Sequence, residues 1–203
     1  MREGEHVKPL HRGHAPLVAE LHRSAIATGF LSSLGGTFLT RMYRAICGVD
    51  GAFGYVWEEP DGELLGFIAC SENTGRVYKK ALLRGGAGMA MSLAGHLLRP
   101  APLRRIIQTL RYPARDPGLL PPAEVLSIAV SDKARGRGVG KALMAAALEE
   151  FARRRIPRIR VAVWAGNEGA NRFYLKCGFT LAHTRDHHGL PMNIYVIEVQ
   201  PKA

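Results

Sequence analysis

The sequence predicts an α/β (α+β) fold in one domain, and three observations predict it. The run Glu124–Val130 is short and apolar, ends in a polar turn, passes through the glycine-rich basic stretch 135–141, and enters an Ala/Leu-rich helix. A second run of alternating apolar residues, Arg158–Trp164, follows that helix. Upstream, strand-like residues 53–57 and 64–69 flank Pro60-Asp61-Gly62, a hairpin-type turn. At 203 residues the chain is large enough for one real core.

The elements follow in order. His6 to Leu10 read as an edge strand. Residues 15–26 place Leu17, Val18, Leu21 and Ala25 at helical spacing, and Gly29 closes that helix. Gly35-Gly36 opens a second helix with Phe38, Leu39, Met42, Tyr43 and Ile46 on its buried face, and Gly48 ends it. After the hairpin, from about residue 72 to 121, strand signals vanish. Residues 77–83, 89–98 and 103–110 read as short helices, separated by Gly85-Gly86 and Pro100-Ala101-Pro102. They are expected to pack through Leu82, Leu83, Met89, Leu93, Leu97, Ile106 and Leu110. Nine basic residues and no acidic one lie from Arg76 to Arg115. Such a segment covers a sheet edge, walls a pocket, or meets an acidic partner or membrane surface.

The stretch 135–141 has the makings of an anion site. Gly136, Gly138 and Gly140 let the backbone turn tightly and approach a ligand. The first N–H groups of the helix lack intrahelical partners and lie at the positive end of its dipole. A phosphate fits there. Gly140-Lys141 is followed by Ala142, so the hydroxyl of a P-loop is missing. The spacing is G-x-G-x-G and lies in the second half of the chain, unlike a dinucleotide-binding fingerprint.

What remains is R-x-x-G-x-G at Arg135, Gly138 and Gly140. It resembles the acetyl-CoA loop of the GNAT N-acetyltransferase superfamily. Downstream, Asn167, Ala170, Phe173, Tyr174, Gly178 and Phe179 resemble that family's N-x-x-A-x-x-F-Y-x-x-x-G-F signature, in the expected order. The two blocks span about residues 122 to 179. The first half matches in outline, as two helices and a hairpin, and is similar to bacterial members. The resemblance implies a mixed central sheet of six to seven strands flanked by helices, with the 72–121 segment as a helical insertion before the acetyl-CoA strand.

It also implies roles. Acetyl-CoA is the expected co-substrate, with its pantetheine between two splayed strands, Glu124–Val130 and Arg158–Trp164. Ile128, Ala129 and Val130 would meet the pantetheine, and the Ile128 N–H the developing oxyanion. Arg135, Gly136, Arg137, Gly138, Val139, Gly140 and Lys141 would cradle the pyrophosphate. Tyr174 is the expected general acid, since a phenol stays protonated at neutral pH. Glu124 is read either as a general base or as a polar residue starting a strand. Asn167 is assigned to the pantetheine, Asn171 to the phosphates and Phe173 to the cofactor site or to packing.

The expected function is acetyl transfer from acetyl-CoA to a primary amine of a small molecule, such as an amino sugar or its nucleotide. A protein amine is the alternative acceptor. A non-catalytic acyl-CoA-binding module with a basic partner surface is the alternative of another class. The net charge of +11 suits an anionic ligand or partner; no aromatic-basic nucleic-acid module is apparent. Peripheral membrane contact fits the charge, while no run reaches the length of a membrane span. Residues 1–8 are charged and lack the apolar stretch of a signal peptide. Cys47, Cys70 and Cys177 are scattered, as in a reduced cytoplasmic protein. No metal is expected: His183, His187 and His188 read as a surface turn. A monomer or homodimer is expected.

Overall fold

A computed structural model describes residues 5–26, 30–97, 120–187 and 189–200. Seven strands form one sheet: β1 (Val7–Pro9), β2 (Ala52–Glu58), β3 (Leu64–Ser71), β4 (Glu124–Val130), β5 (Arg158–Trp164), β6 (Thr180–His187) and β7 (Leu190–Glu198). Their spatial order is β1-β2-β3-β4-β5-β7-β6. Neighbours are antiparallel except β4 and β5, which run parallel. A parallel pair needs a crossover, and the helix between these strands, α5 (Val139–Arg153), supplies it.

Alternation along the central strands sends side chains to two cores. On one face, Val56, Phe67 and Ala69 meet α1 (Ala15–Ala25) and α3 (Gly36–Ile46) through Val18, Leu39 and Tyr43. On the other, Trp57, Ile68, Cys70 and Val161 meet α5 through Leu143, Met144 and Phe151. Tyr174 of α6 (Glu168–Lys176) joins this second core beside Phe179 and Tyr195. A short helix, α2 (Phe30–Ser33), precedes α3. The five residues expected on the inner face of α3 are all buried.

The segment after the hairpin differs in detail from the sequence reading. Residues 77–83 and 89–98 were expected as two helices. One helix, α4 (Thr74–Leu97), spans most of both and is kinked at Gly86, whose φ of 47° and ψ of −143° leave the helical region. It packs along α3 on the α1 face of the sheet. Val77, Ala81 and Met89 make the contact, whereas Leu82 and Leu83 are exposed. Thr74, Val77 and Ala81 recur at helical spacing on one side, and Leu82 and Leu83 fall away from that stripe. The helix expected over 103–110, with Ile106 and Leu110, lies outside the described residues. So do the side chains of Leu93 and Leu97. His183 and His187 lie within β6 rather than in a turn, and His188 lies outside the described residues.

Candidate active site

The site begins where β4 leaves β5. Pairing between them runs through Glu124↔Arg160 and Val125↔Val161 and stops there, although both strands continue. On the opposite edge of β4, Cys70 pairs with Val125 but Ala69 with Ser127, so Leu126 is an extra residue. A bulge bends its strand and increases its twist. This one coincides with the end of the β4–β5 ladder and turns the rest of β4 away. A cleft opens between residues 126–130 and 162–164. Ile128 and Val130 pack towards the α5 core, whereas Ala129 is buried in the α1–α3 core.

At the far end of β4, a 3-10 turn (Asp132–Ala134) leads into the glycine loop and α5. Gly136 and Gly138 have φ of 79° and 82°, a left-handed conformation that side-chain-bearing residues rarely hold. The first bond of the helix runs from the Ala142 N–H to the Gly138 carbonyl, at 3.0 Å. The N–H groups of Val139, Gly140 and Lys141 therefore precede the helical ladder. Those of Arg135 and Arg137 are spent inside the loop, on the carbonyls of Asp132 and Ala134.

The loop's cations are mostly engaged elsewhere. Arg135 pairs with Asp132 at 2.8 Å, and Arg137 reaches Glu59 on the β2–β3 turn at 2.7 Å. Lys133 binds Glu63 at 2.7 Å, which raises its pKa. These pairs flank an open depression of ≈ 580 Å³ lined by Glu59, Asp61 and Glu63. Lys133 and Arg137 line it too, so its three carboxylates are partly balanced by two cations. What the loop itself offers to an anion is the backbone N–H groups of Val139, Gly140 and Lys141 at the helix end.

Tyr174 lies on α6 and is 5% exposed. Its ring touches Phe173, Phe179 and Tyr195, with centroids 5.4, 5.7 and 6.2 Å away. Burial raises the phenol pKa, so it remains protonated throughout the neutral range. Phe173 packs over the start of α5: a Cβ added at Gly140 would lie 3.4 Å from its ring.

The two asparagines have structural bonds. Asn167 caps α6, its side chain accepting from the Ala170 N–H at 3.1 Å. Asn171 donates to the carbonyls of Trp164, Ala165 and Asn167, and accepts from Asn193 and the Tyr195 hydroxyl, both at 2.8 Å. Its amide ties the end of β5 to α6 and β7, so its polar capacity is filled from within the fold.

Glu124 sits at the other end of the cleft, 5% exposed. Its Oε2 accepts from Arg160 Nε and Nη2 at 3.1 and 3.0 Å and from Thr74 Oγ at 2.8 Å. Sequence reasoning missed Arg160 and Thr74. Arg160, flanked by the apolar Ile159 and Val161 inside the strand, was the available signal, because a buried cation requires a partner.

A second buried polar group was also missed. His22 on α1 and Tyr43 on α3 lie 2.6 Å apart, Nδ1 to hydroxyl, and are 2% and 1% exposed. Desolvation lowers the His22 pKa to about 4. Tyr43 also meets Ser127 of β4, so this group underlies the bulged strand.

Residues 113–179 match the model of the Acetyltransferase (GNAT) family. No curated protein matches the chain in sequence. Solved structures share its fold over almost its whole length. Arabidopsis thaliana NAA60, solved with acetyl-CoA, is 15% identical, with a TM-score of 0.60 over 95% of this chain and 97% of that one. The ribosomal-protein-S18-alanine N-acetyltransferase of Escherichia coli is 14% identical, with a TM-score of 0.59 over 97% and 95%. The spermidine/spermine N-acetyltransferase SpeG of Vibrio cholerae, solved in mutant forms, is 16% identical, with a TM-score of 0.55 over 95% and 93%. The matched segment includes β4, the glycine loop, α5, β5 and α6, the elements around the cleft, and it marks a GNAT acetyltransferase domain, the domain of an acyltransferase that takes its acetyl group from acetyl-CoA.

Proposed function

We propose that the cleft between β4 and β5 holds the acetyl-pantetheine and that the enzyme acetylates a primary amine. One observation carries this reading. The β4–β5 ladder ends at Val125↔Val161 while β4 runs on to Val130. Polar backbone groups that leave a sheet ladder require other partners, and the amides of pantetheine are suitable ones. The Ile128 N–H then faces the thioester oxygen and stabilises the oxyanion, a contribution of about 3 kcal/mol. The pyrophosphate lies on the N–H groups of Gly136, Gly138, Val139, Gly140 and Lys141.

Three chemical events follow in this reading. The neutral amine attacks the thioester carbon, and the tetrahedral oxyanion is held by Ile128. The C–S bond breaks and the electron pair leaves on sulfur. Tyr174 donates its hydroxyl proton to that thiolate, whose conjugate acid has a pKa of ~8.5, and the proton lost by the acylated nitrogen returns through solvent to the phenolate, which leaves neutral amide, CoA thiol and tyrosine. Glu124 has three donors on one carboxylate oxygen, which supports a structural role over that of general base. Asn171, Phe173 and Asn167 shape the cleft, with Asn167 closest in role to a pantetheine contact.

The acceptor in this reading is a small-molecule amine such as an amino sugar or a nucleotide-linked amino sugar, the second of which is negatively charged. The net charge of +11 supports it. Release of free CoA thiol is the assay, with amino sugars, sugar nucleotides, polyamines and peptide N-termini as acceptors. Turnover of an anionic amino sugar above the others is the expected result. Turnover of peptides alone would replace the acceptor but keep the site. Calorimetry tests the site separately: Gly138→Asp is expected to weaken CoA binding at least tenfold, through a strained φ and a like charge beside the phosphates. Wild-type affinity in that variant would move the pyrophosphate elsewhere.

A further inference from the structure

The outer face of α4 combines two features that a water-facing helix normally separates. Leu83 and Met91 are the most exposed large hydrophobic residues among those described, at 73% and 69%, and Leu82 is 40% exposed. Arg76, Lys79, Lys80 and Arg84 are exposed on the same helix. The inner stripe of Thr74, Val77 and Ala81 is buried, so the outer apolar residues are additional to the core. Acidic residues barely offset the charge. The sequence has none from Arg76 to Arg115, and the Lys80–Asp50 pair is long, at 3.8 Å.

We propose that this face of α4 docks on an anionic lipid surface. Its leucines enter the headgroup boundary while the lysine and arginine stems extend their charges to lipid phosphates. The interleaving favours lipid over nucleic acid. A surface for single-stranded nucleic acid presents aromatic rings for stacking, and one for a duplex binds phosphates through cations alone, whereas this one presents exposed aliphatic side chains between its cations. No helix among the described residues is long and apolar enough to cross a membrane, so the contact is peripheral. This surface is distinct from the acetyl-CoA cleft and stands or falls independently of it.

The test is partition of the full chain onto vesicles of phosphatidylglycerol and phosphatidylcholine, against phosphatidylcholine alone, at low and high salt. Binding is expected only to the anionic vesicles. Each cation near such a surface is worth roughly fivefold in partition, so Lys79→Gln with Lys80→Gln is expected to lower it about 25-fold. Leu83→Ser is expected to lower it about tenfold while leaving the salt dependence unchanged. Affinity for acetyl-CoA should stay at the wild-type value in both, which verifies that the variants are folded. Leu83→Trp provides a second reading at an already exposed position: its emission should shift to the blue with anionic vesicles. Equal binding to both vesicle types, unchanged partition in the variants, or an unshifted Leu83→Trp emission would each overturn the proposal. So would RNA that displaces the protein from the vesicles by competing for the same face.

Discussion

Glu124 and Arg160 are partners twice over. They are a register pair joining β4 to β5, and their side chains form an ion pair of 3.0 Å with both groups under a tenth exposed. Thr74 adds a third donor from the start of α4, and its N–H reaches the Pro122 carbonyl at 3.1 Å. The pair therefore fixes the closed end of the cleft and anchors α4 to it. Just beyond it the Leu126 bulge begins and the strands part.

That arrangement predicts how Glu124→Gln will behave. The amide keeps the shape but leaves the Arg160 charge without its counter-ion, and breaking a buried pair in this way costs about 3–5 kcal/mol. Thermal unfolding should show a clear fall in Tm. Activity per folded molecule should keep the wild-type pH profile. A stable variant whose activity falls selectively at low pH would instead make Glu124 the general base.

Tyr174→Phe should separate chemistry from binding. The ring packs against Phe179 and Tyr195, and phenylalanine retains that packing. Tm and calorimetric CoA affinity should stay close to wild type. Turnover should fall about 100-fold where chemistry is rate-limiting, the usual scale for one proton-transfer group. Unchanged turnover there would remove Tyr174 from the mechanism.

Asn171 is expected to act through geometry. Its five hydrogen bonds join the end of β5, the first turn of α6 and β7. Asn171→Ala leaves the Asn193 amide and the Tyr195 hydroxyl without this acceptor, at about 1–3 kcal/mol per unsatisfied group when buried. The Tm should fall. Asn171→Asp, which keeps the acceptor, should recover more of the Tm than of CoA affinity if the added charge lies near the phosphates. Equal recovery of both would confine Asn171 to the scaffold.

The parts of this protein legible in its sequence are those built from local pattern. The Phe38, Leu39, Met42, Tyr43 and Ile46 stripe gave α3, and the glycine spacing gave the loop whose Gly136 and Gly138 have positive φ. Long-range pairings were not legible. The partner of Glu124 is 36 positions away, and nothing in the run Glu124–Val130 marks Leu126 as the extra residue, because a bulge depends on the register of the neighbouring strand. Leu82 and Leu83 look like core residues by type. Only the helix phase, set by Val77 and Ala81 against α3, puts them outside.

His22 makes the fold sensitive to acid. Its folded pKa is about 4, below the unfolded value of 6.5, because burial disfavours the imidazolium. The unfolded chain thus binds a proton that the folded one refuses between these values. The resulting stabilisation is complete above pH 6.5 and is lost as the pH falls towards 4, to an extent of about 3 kcal/mol. His14 adds to the same slope, since desolvation also lowers its pKa. Unfolding free energies measured by denaturant at pH 7, 6, 5 and 4 should decline in this window. His22→Gln should flatten the decline, leaving the part due to His14, while lowering stability at pH 7 through a weaker bond to Tyr43. An undiminished slope in His22→Gln would show that folded His22 takes up its proton as readily as the unfolded chain does, and in acid its 2.6 Å contact with Tyr43 would then be a bond donated by an imidazolium.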